Sequence, residues 1–237
     1  MNGLARVSDL LRARRRDRPP LVLGVTGAVA AGKSTFAGQL QAAISAWPAA
    51  PAVEVVGTDG FLFDNATLQA RGLSMRKGFP ESYDMAALGA AMAAARDGAA
   101  SFPGYSHLTY DVDPALARRI ERPDVLIVEG LALHEPAAAG LDALVYLDAE
   151  EAHLEAWFCR RFMDLWRAAE TDPTSFYARF RRMDAAAARR FAGEVWRSIN
   201  LPNLREHIVG ARDAADIVVR KGPAHEIVAV LERVTPA

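Results

Sequence analysis

The segment Gly27-Ala28-Val29-Ala30-Ala31-Gly32-Lys33-Ser34 sets two glycines with four residues between them, and a lysine and a serine immediately after the second. A loop that wraps a phosphate needs this spacing between a strand and a helix. Gly27 and Gly32 allow the chain to curl, so that backbone N–H groups face phosphate oxygens at a helix N-terminus. Lys33 is expected to bridge the β- and γ-phosphates of a nucleotide, and the Ser34 hydroxyl, followed by Thr35, to hold Mg²⁺. An ordinary strand-turn-helix is the alternative. The flanks favour the phosphate reading, because the apolar run Leu21–Thr26 precedes the loop and a helical pattern (Phe36, Leu40, Ile44) follows it to Trp47-Pro48.

Other residues of the right type recur where chemistry would need them. Asp59, in Thr58-Asp59-Gly60-Phe61, could orient an alcohol beside the γ-phosphate and accept its proton; otherwise it caps a turn before Gly60. Glu129 ends an apolar run where an acid usually meets Mg²⁺ or its water shell, and a solvated strand-end acid is the alternative. On the helix expected over roughly Glu150 to Ala169, Leu154, Phe158 and Leu165 share one stripe, and Arg161 falls within it. An arginine on an apolar face needs a partner, either a transferring phosphoryl group or a structural carboxylate. Tyr105 and Tyr110 flank His107, which suits a wall for a small polar substrate, or else a surface loop. Within Arg76–Asp84, Ser82 and Asp84 are both candidate N-caps for the helix that follows.

The elements that must position these groups are five short apolar runs separated by helical patterns: Leu21–Thr26, Val53–Gly57, Val125–Val128, Ala143–Leu147 and Ile217–Arg220. Near-continuous apolar strands alternating with helices predict a mainly parallel five-stranded sheet covered on both faces, an α/β/α arrangement. In such sheets ligands bind beyond the carboxyl ends of the strands. The phosphate loop, Asp59 and Glu129 each follow one of those ends. Ala86–Ala95 and Ala185–Ala188 read as helices, with Gly98 closing the first.

The chain has 237 residues, 51% hydrophobic, with a formal charge of −1. That suits one large domain over residues 21–237 with a lid, preceded by a basic helical extension over residues 1–20. Near-neutral charge argues against a general nucleic-acid binder. No apolar run approaches the ~20 residues of a membrane helix. The single cysteine, Cys159, cannot pair internally, which suits a reducing cytoplasm. Within the expected helix it reads as a quiet thiol. The basic run Arg12 to Arg18 reads as the solvated end of a short helix, with an organelle transit segment as the alternative. Lysine is scarce: Lys33, Lys77 and Lys221 are the only ones among 28 basic residues.

The segments GAVAAGKST, TDGFL, RKGFPESYD, YSHLTYDV, LIVEGL, TDPTSFY, INLPNL and RKGPAH occur in that order. From about Leu21 onward the chain thereby resembles the bacterial type I pantothenate kinases. The resemblance implies a P-loop kinase fold with a helical lid and ATP-dependent phosphorylation of pantothenate, the first committed step towards coenzyme A. It implies that Asp59 is the base, and that Lys33, Ser34 and Arg161 serve the phosphates and Mg²⁺. Tyr105, His107, Tyr110 and Asn200 would line the pantothenate pocket, with Lys221 and His225 on the adenine side. Coenzyme A competes with ATP in that family, and a homodimer is compatible with it. Three departures stand out. The chain is shorter before the first strand and after Glu129-Gly130. Phe158 replaces a tyrosine that contacts pantothenate, and Gly38 replaces a basic residue that helps hold coenzyme A. A related kinase of a sugar, nucleoside or other hydroxy compound is the alternative, or a nucleotide-binding regulator without catalysis.

Overall fold

Every residue of the first strand is buried, and the reason lies on either side of it. Among the residues described by the computed structural model (3–14, 20–133 and 140–233), the strands in chain order begin with β1 (Leu21–Gly27), β2 (Val53–Gly57) and β3 (Ala99–Phe102). β4 (Tyr105–Ser106), β5 (Asp111–Val112), β6 (Arg118–Glu121) and β7 (Val125–Glu129) follow. β8 (Ala143–Asp148), β9 (Ile217–Lys221) and β10 (Ile227–Glu232) complete the set. β1 pairs in parallel with β7 on one side and β8 on the other. A strand enclosed by strands laterally and by helices above and below has no polar face, so its sequence is an unbroken apolar run.

β2 extends the sheet beyond β7, and β9 extends it beyond β8, all in parallel. These are the five expected strands. The sheet has a sixth, because β10 folds back antiparallel on β9, giving the order β10-β9-β8-β1-β7-β2. The count of five is corrected accordingly. As an edge strand, β10 leaves Val228 and Leu231 exposed and lacks the continuous burial that marks the inner strands. The pairs β3–β6 and β4–β5 form two small antiparallel ribbons between β2 and β7.

The helices that accompany the sheet or flank the site include α1 (Gly3–Ala13), α2 (Lys33–Ser45), α3 (Asn65–Ala70), α4 (Met85–Arg96), α5 (Glu151–Ala168) and α6 (Ala185–Val195). Asp84 caps α4, accepting from the Ala87 N–H at 2.9 Å. Ser82, the other candidate cap, is instead buried, and its hydroxyl links Gly78 N–H to the Phe79 carbonyl. α1 is no detached extension. Val7 and Leu11 are fully buried in the main core, and Trp47 Nε1 donates to Ser8 Oγ at 2.9 Å. Arg15 to Pro19, most of the expected basic run, lies outside the described residues. α5 and α6 enclose a small core of their own, built on Phe162, Met163, Ala188 and Ala192. Among the described residues no helix is long and apolar enough to cross a membrane.

Candidate functional site

Parallel pairing brings the carboxyl ends of β1, β2 and β7 to one edge of the sheet. Glu129 is in register with Val25 of β1 and Gly57 of β2. The chain leaves β1 through Gly27 at φ 145° and enters α2 from Gly32 at φ 83°. A side chain at Gly27 would lie 2.6 Å from the Leu147 carbonyl oxygen, so the close approach of β8 demands glycine there. Lys33 Nζ folds back over the loop and donates to the carbonyls of Gly27 at 3.2 Å and Ala28 at 2.9 Å. Ser34 Oγ donates to Glu129 Oε1 at 2.7 Å. Thr35 follows on the exposed side of the first turn.

Asp59 sits in a 3₁₀ turn (Thr58–Phe61) directly after β2. Its carboxylate is the electrostatic hinge of the site, because its charge acts on Lys33 and Glu129 on one side. On the other it acts on Lys77, Tyr105, His107 and Tyr110. The buried Tyr83 hydroxyl donates to Asp59 Oδ1 at 3.4 Å. Burial holds the Lys33 pKa below its ordinary value against the attraction of Glu129 and Asp59. Burial likewise lifts Glu129 above the usual carboxylate range, opposed by Lys33 and the Ser34 hydrogen bond. Both half-buried groups are thus partly desolvated, and each would be relieved by a ligand of opposite charge.

The hairpin of β4 and β5 supplies an aromatic wall. Tyr105 meets His107 at 5.2 Å and Tyr110 at 6.0 Å between ring centroids. Phe176, in the 3₁₀ turn Phe176–Phe180 between α5 and α6, packs on Tyr110 at 4.5 Å, and its N–H donates to the Leu108 carbonyl at 2.7 Å. Burial drives the Tyr105 and Tyr110 pKa values well up, so both remain neutral hydrogen-bonding groups. The His107 pKa is lowered, by burial first and by Arg161, against the pull of Asp59.

Arg161 departs from its expected surroundings. The buried residues of α5 are Leu154, Trp157, Phe162 and Met163, whereas Arg161 is exposed. Leu154, Trp157 and Phe162 keep the anticipated stripe, but Arg161 within it is exposed, so no buried partner is required. The Arg161 charge acts on Lys33, His107, Tyr110 and Glu129, which puts it on the open side of the same site. Phe158 is half-buried, 5.9 Å from Trp196 between ring centroids. Asn200 ends a π-helical turn after α6, and its side-chain Nδ2 is buried without a hydrogen-bond partner.

Lys221 and His225 also stand against the phosphate loop. Lys221 Nζ donates to the Ala31 carbonyl at 2.8 Å and lies 3.3 Å from His225 Nδ1. The His225 ring stacks on Trp157 with centroids 3.7 Å apart. Burial and the Lys221 charge hold its pKa below the ordinary histidine value.

Two neighbours of Asp59 were not singled out by sequence reasoning as site residues. One is Tyr83, hidden within ESYD. The other is Lys77, whose Nζ donates at 2.6 Å to both Asn65 Oδ1 and the Tyr110 carbonyl. It also lies 5.1 Å from the Tyr105 ring centroid and 4.8 Å from that of Tyr110. The scarcity of lysine was the available signal. All three lysines face this one region.

The donor set fits Mg²⁺ with a nucleotide triphosphate. Ser34 and Glu129 offer hard oxygens in mutual contact, and Mg²⁺ typically takes one or two protein oxygens beside phosphates and water. The described residues contain no cluster of three or more His, Cys, Asp or Glu for a fully protein-made metal cage.

A mainly parallel sheet ending in a phosphate loop, with acids at the two neighbouring strand ends, defines a P-loop kinase of small molecules. Residues 22–161 match the phosphoribulokinase / uridine kinase family. The chain is 44% identical to a pantothenate kinase of Sorangium cellulosum (strain So ce56), over 96% of this chain and 77% of that one. It is 39% identical to a pantothenate kinase of Parvibaculum lavamentivorans, over 97% and 75% respectively. A crystal structure of a candidate fructose transport system kinase from Silicibacter sp. TM1040 superposes with a TM-score of 0.71 at 26% identity, covering 90% of this chain and 94% of that one. The chain belongs to the phosphoribulokinase / uridine kinase family and, within it, to the pantothenate kinases.

Proposed function

We propose that this chain transfers the γ-phosphoryl group of ATP to the hydroxyl of pantothenate, giving 4′-phosphopantothenate, the first step of coenzyme A synthesis. The observation that carries the reading is the position of Asp59, between the phosphate loop and the Tyr105–His107–Tyr110 wall, with its charge acting on both. Asp59 orients the acceptor hydroxyl and takes its proton as the new P–O bond forms. Lys33 and Arg161 neutralise charge on the transferring group, while the loop amides hold the phosphates. Ser34 and Glu129 would hold Mg²⁺, which would supply positive charge to stabilise the phosphates. Lys221 and His225 brace the nucleotide side. Tyr105, His107, Tyr110 and Phe158 line the acceptor pocket, and the unpartnered Asn200 amide supplies a donor to it.

Weak inhibition by coenzyme A belongs to the same reading, because Gly38 brings no charge to the helix after the loop. A homodimer and a cytoplasmic setting complete it.

A panel of acceptors tests the proposal, with ADP release followed for pantothenate, a set of sugars and nucleosides, and no acceptor. Release stimulated by pantothenate alone supports it. Stimulation by a sugar instead would favour a reshaped pocket around Phe158, in line with the structural likeness to the candidate fructose transport system kinase. Release indifferent to every acceptor would remove the kinase assignment.

A further inference from the structure

α5 and α6 part into a cleft of about 830 Å³. Its lining positions on α5 run from Glu155 to Arg167. At 100° per residue they centre on the face of the helix opposite Phe158 and Arg161, so the cleft opens away from the site described above, although the charge of Arg160 also reaches His225. Arg160 and Arg167 rim it from α5, and Arg189, Arg190 and Arg197 from α6 and the turn beyond. The floor includes Cys159, Met163 and Gly193.

The charges on this rim do not balance. The carboxylates in the lining are Asp164 and Glu155, and each already has an arginine: Arg167 at 2.9 Å and Arg197 at 3.2 Å. Arg160, Arg189 and Arg190 form no ion pair or hydrogen bond from their guanidinium groups among the described residues. The imbalance is local. Residues 151–205 contain ten arginines against seven aspartates and glutamates, in a chain whose formal charge is −1. The rim charges also converge, since Arg189 and Arg197 both act on the Cys159 thiol in the floor. A side chain at Gly193 would come within 3.0 Å of Arg197 Nη1, so the glycine leaves room for that guanidinium to lie close over the helix. Converging guanidiniums offer forked donors to phosphate or carboxylate oxygens. The volume falls in the range of small-molecule sites, roughly 300–1,000 Å³, and the lined part of α5 is only about 18 Å long.

We propose that this cleft is a second binding site, which takes a compact small molecule carrying several negative charges, a phosphate ester or a polycarboxylate. The proposal is independent of the acceptor assignment.

Cys159 is the sole cysteine of the chain, so its alkylation by a maleimide reports on the cleft alone. Inorganic tripolyphosphate and citrate are titrated separately against the alkylation rate of the full chain, which distinguishes phosphate from carboxylate chemistry. Protection by either anion is expected. It should weaken by about tenfold or more in Arg189→Gln/Arg190→Gln, the loss of at least one charge-assisted contact, with the circular dichroism spectrum unchanged. Protection should survive Lys33→Ala, which disables anion binding at the phosphate loop. The proposal is overturned if neither anion protects, if the double variant is protected as well as the parent, or if Lys33→Ala abolishes protection. It is also overturned if poly-glutamate protects where both small anions fail, which would mark a surface for an acidic polypeptide.

Discussion

On the nucleotide side of Asp59 the site is largely one continuous run of chain. Backbone carbonyls hold Lys33 in place, and the curl depends on glycine at Gly27, where a side chain would collide with β8. On the other side the same carboxylate acts on side chains drawn from separate segments, Lys77 before α4 and Tyr105, His107 and Tyr110 around the β4–β5 hairpin, with Phe176 from beyond α5 packed on Tyr110. Hydrogen bonds from Lys77 to Asn65 and Tyr110, and ring contacts from Tyr110 to Phe176, tie those segments together. A backbone-built half has little latitude. A side-chain-built half can be retuned one residue at a time while the phosphate chemistry stays intact, which suits a family whose members differ in acceptor.

If the two halves meet at Asp59, its loss should be the most damaging change to turnover that leaves both halves standing. Asp59→Asn keeps shape and hydrogen bonding but removes the proton acceptor, so kcat should fall by roughly 10²–10⁴, with ATP affinity little changed by calorimetry. Near-normal kcat would take Asp59 out of the mechanism.

Lys77 separates the halves more sharply. Lys77→Met removes a charge-assisted donor from the acceptor wall, a contact of about 1.5–3 kcal/mol. The KM for pantothenate should rise by about 10–100-fold while the KM for ATP holds steady. A variant whose ATP KM rises as much as its pantothenate KM would show that the halves are not independently built.

Gly38 tests the nucleotide half from outside the loop. A side chain there has no heavy atom within 4 Å of its Cβ position, so Gly38→Arg should be accommodated. ATP-competitive inhibition by coenzyme A should strengthen by about tenfold, the lower end of a charge-assisted contact. Strong inhibition of the parent protein, unaltered by the substitution, would mean that another arginine already supplies the charge.

The smallest expected effect lies at Phe158. Phe158→Tyr adds one hydroxyl to the acceptor side, a hydrogen bond of about 0.5–1.5 kcal/mol, and should tighten pantothenate several-fold in a binding titration. Unchanged or weaker binding would mean that the pocket has been reshaped around the phenylalanine.

The same contrast governs what could be read before the structure was in hand. The phosphate loop was legible because its demands are local: two glycines, a lysine and a serine at fixed spacing between an apolar strand and a helix. The inner strands were legible because burial on both faces leaves an unbroken apolar run. β10 escaped because an edge strand is half exposed, and α1 was undervalued because its basic end obscured the burial of Val7 and Leu11. Arg161 was placed on the expected stripe, but whether a side chain there is covered or open depends on what packs over that part of the helix, and periodicity alone does not resolve that. Lys77 lies 18 positions from Asp59 along the chain, and only the folding of the hairpin over it reveals that they share a site.

The most direct measurement is of the product itself. Full-length protein is incubated with [γ-³²P]ATP, Mg²⁺ and pantothenate, and the labelled product is identified by mass spectrometry. The account predicts label in 4′-phosphopantothenate, formed stoichiometrically with ADP and absent when Asp59→Asn replaces the parent. Label released only as inorganic phosphate, or transferred to a sugar but not to pantothenate, would contradict it.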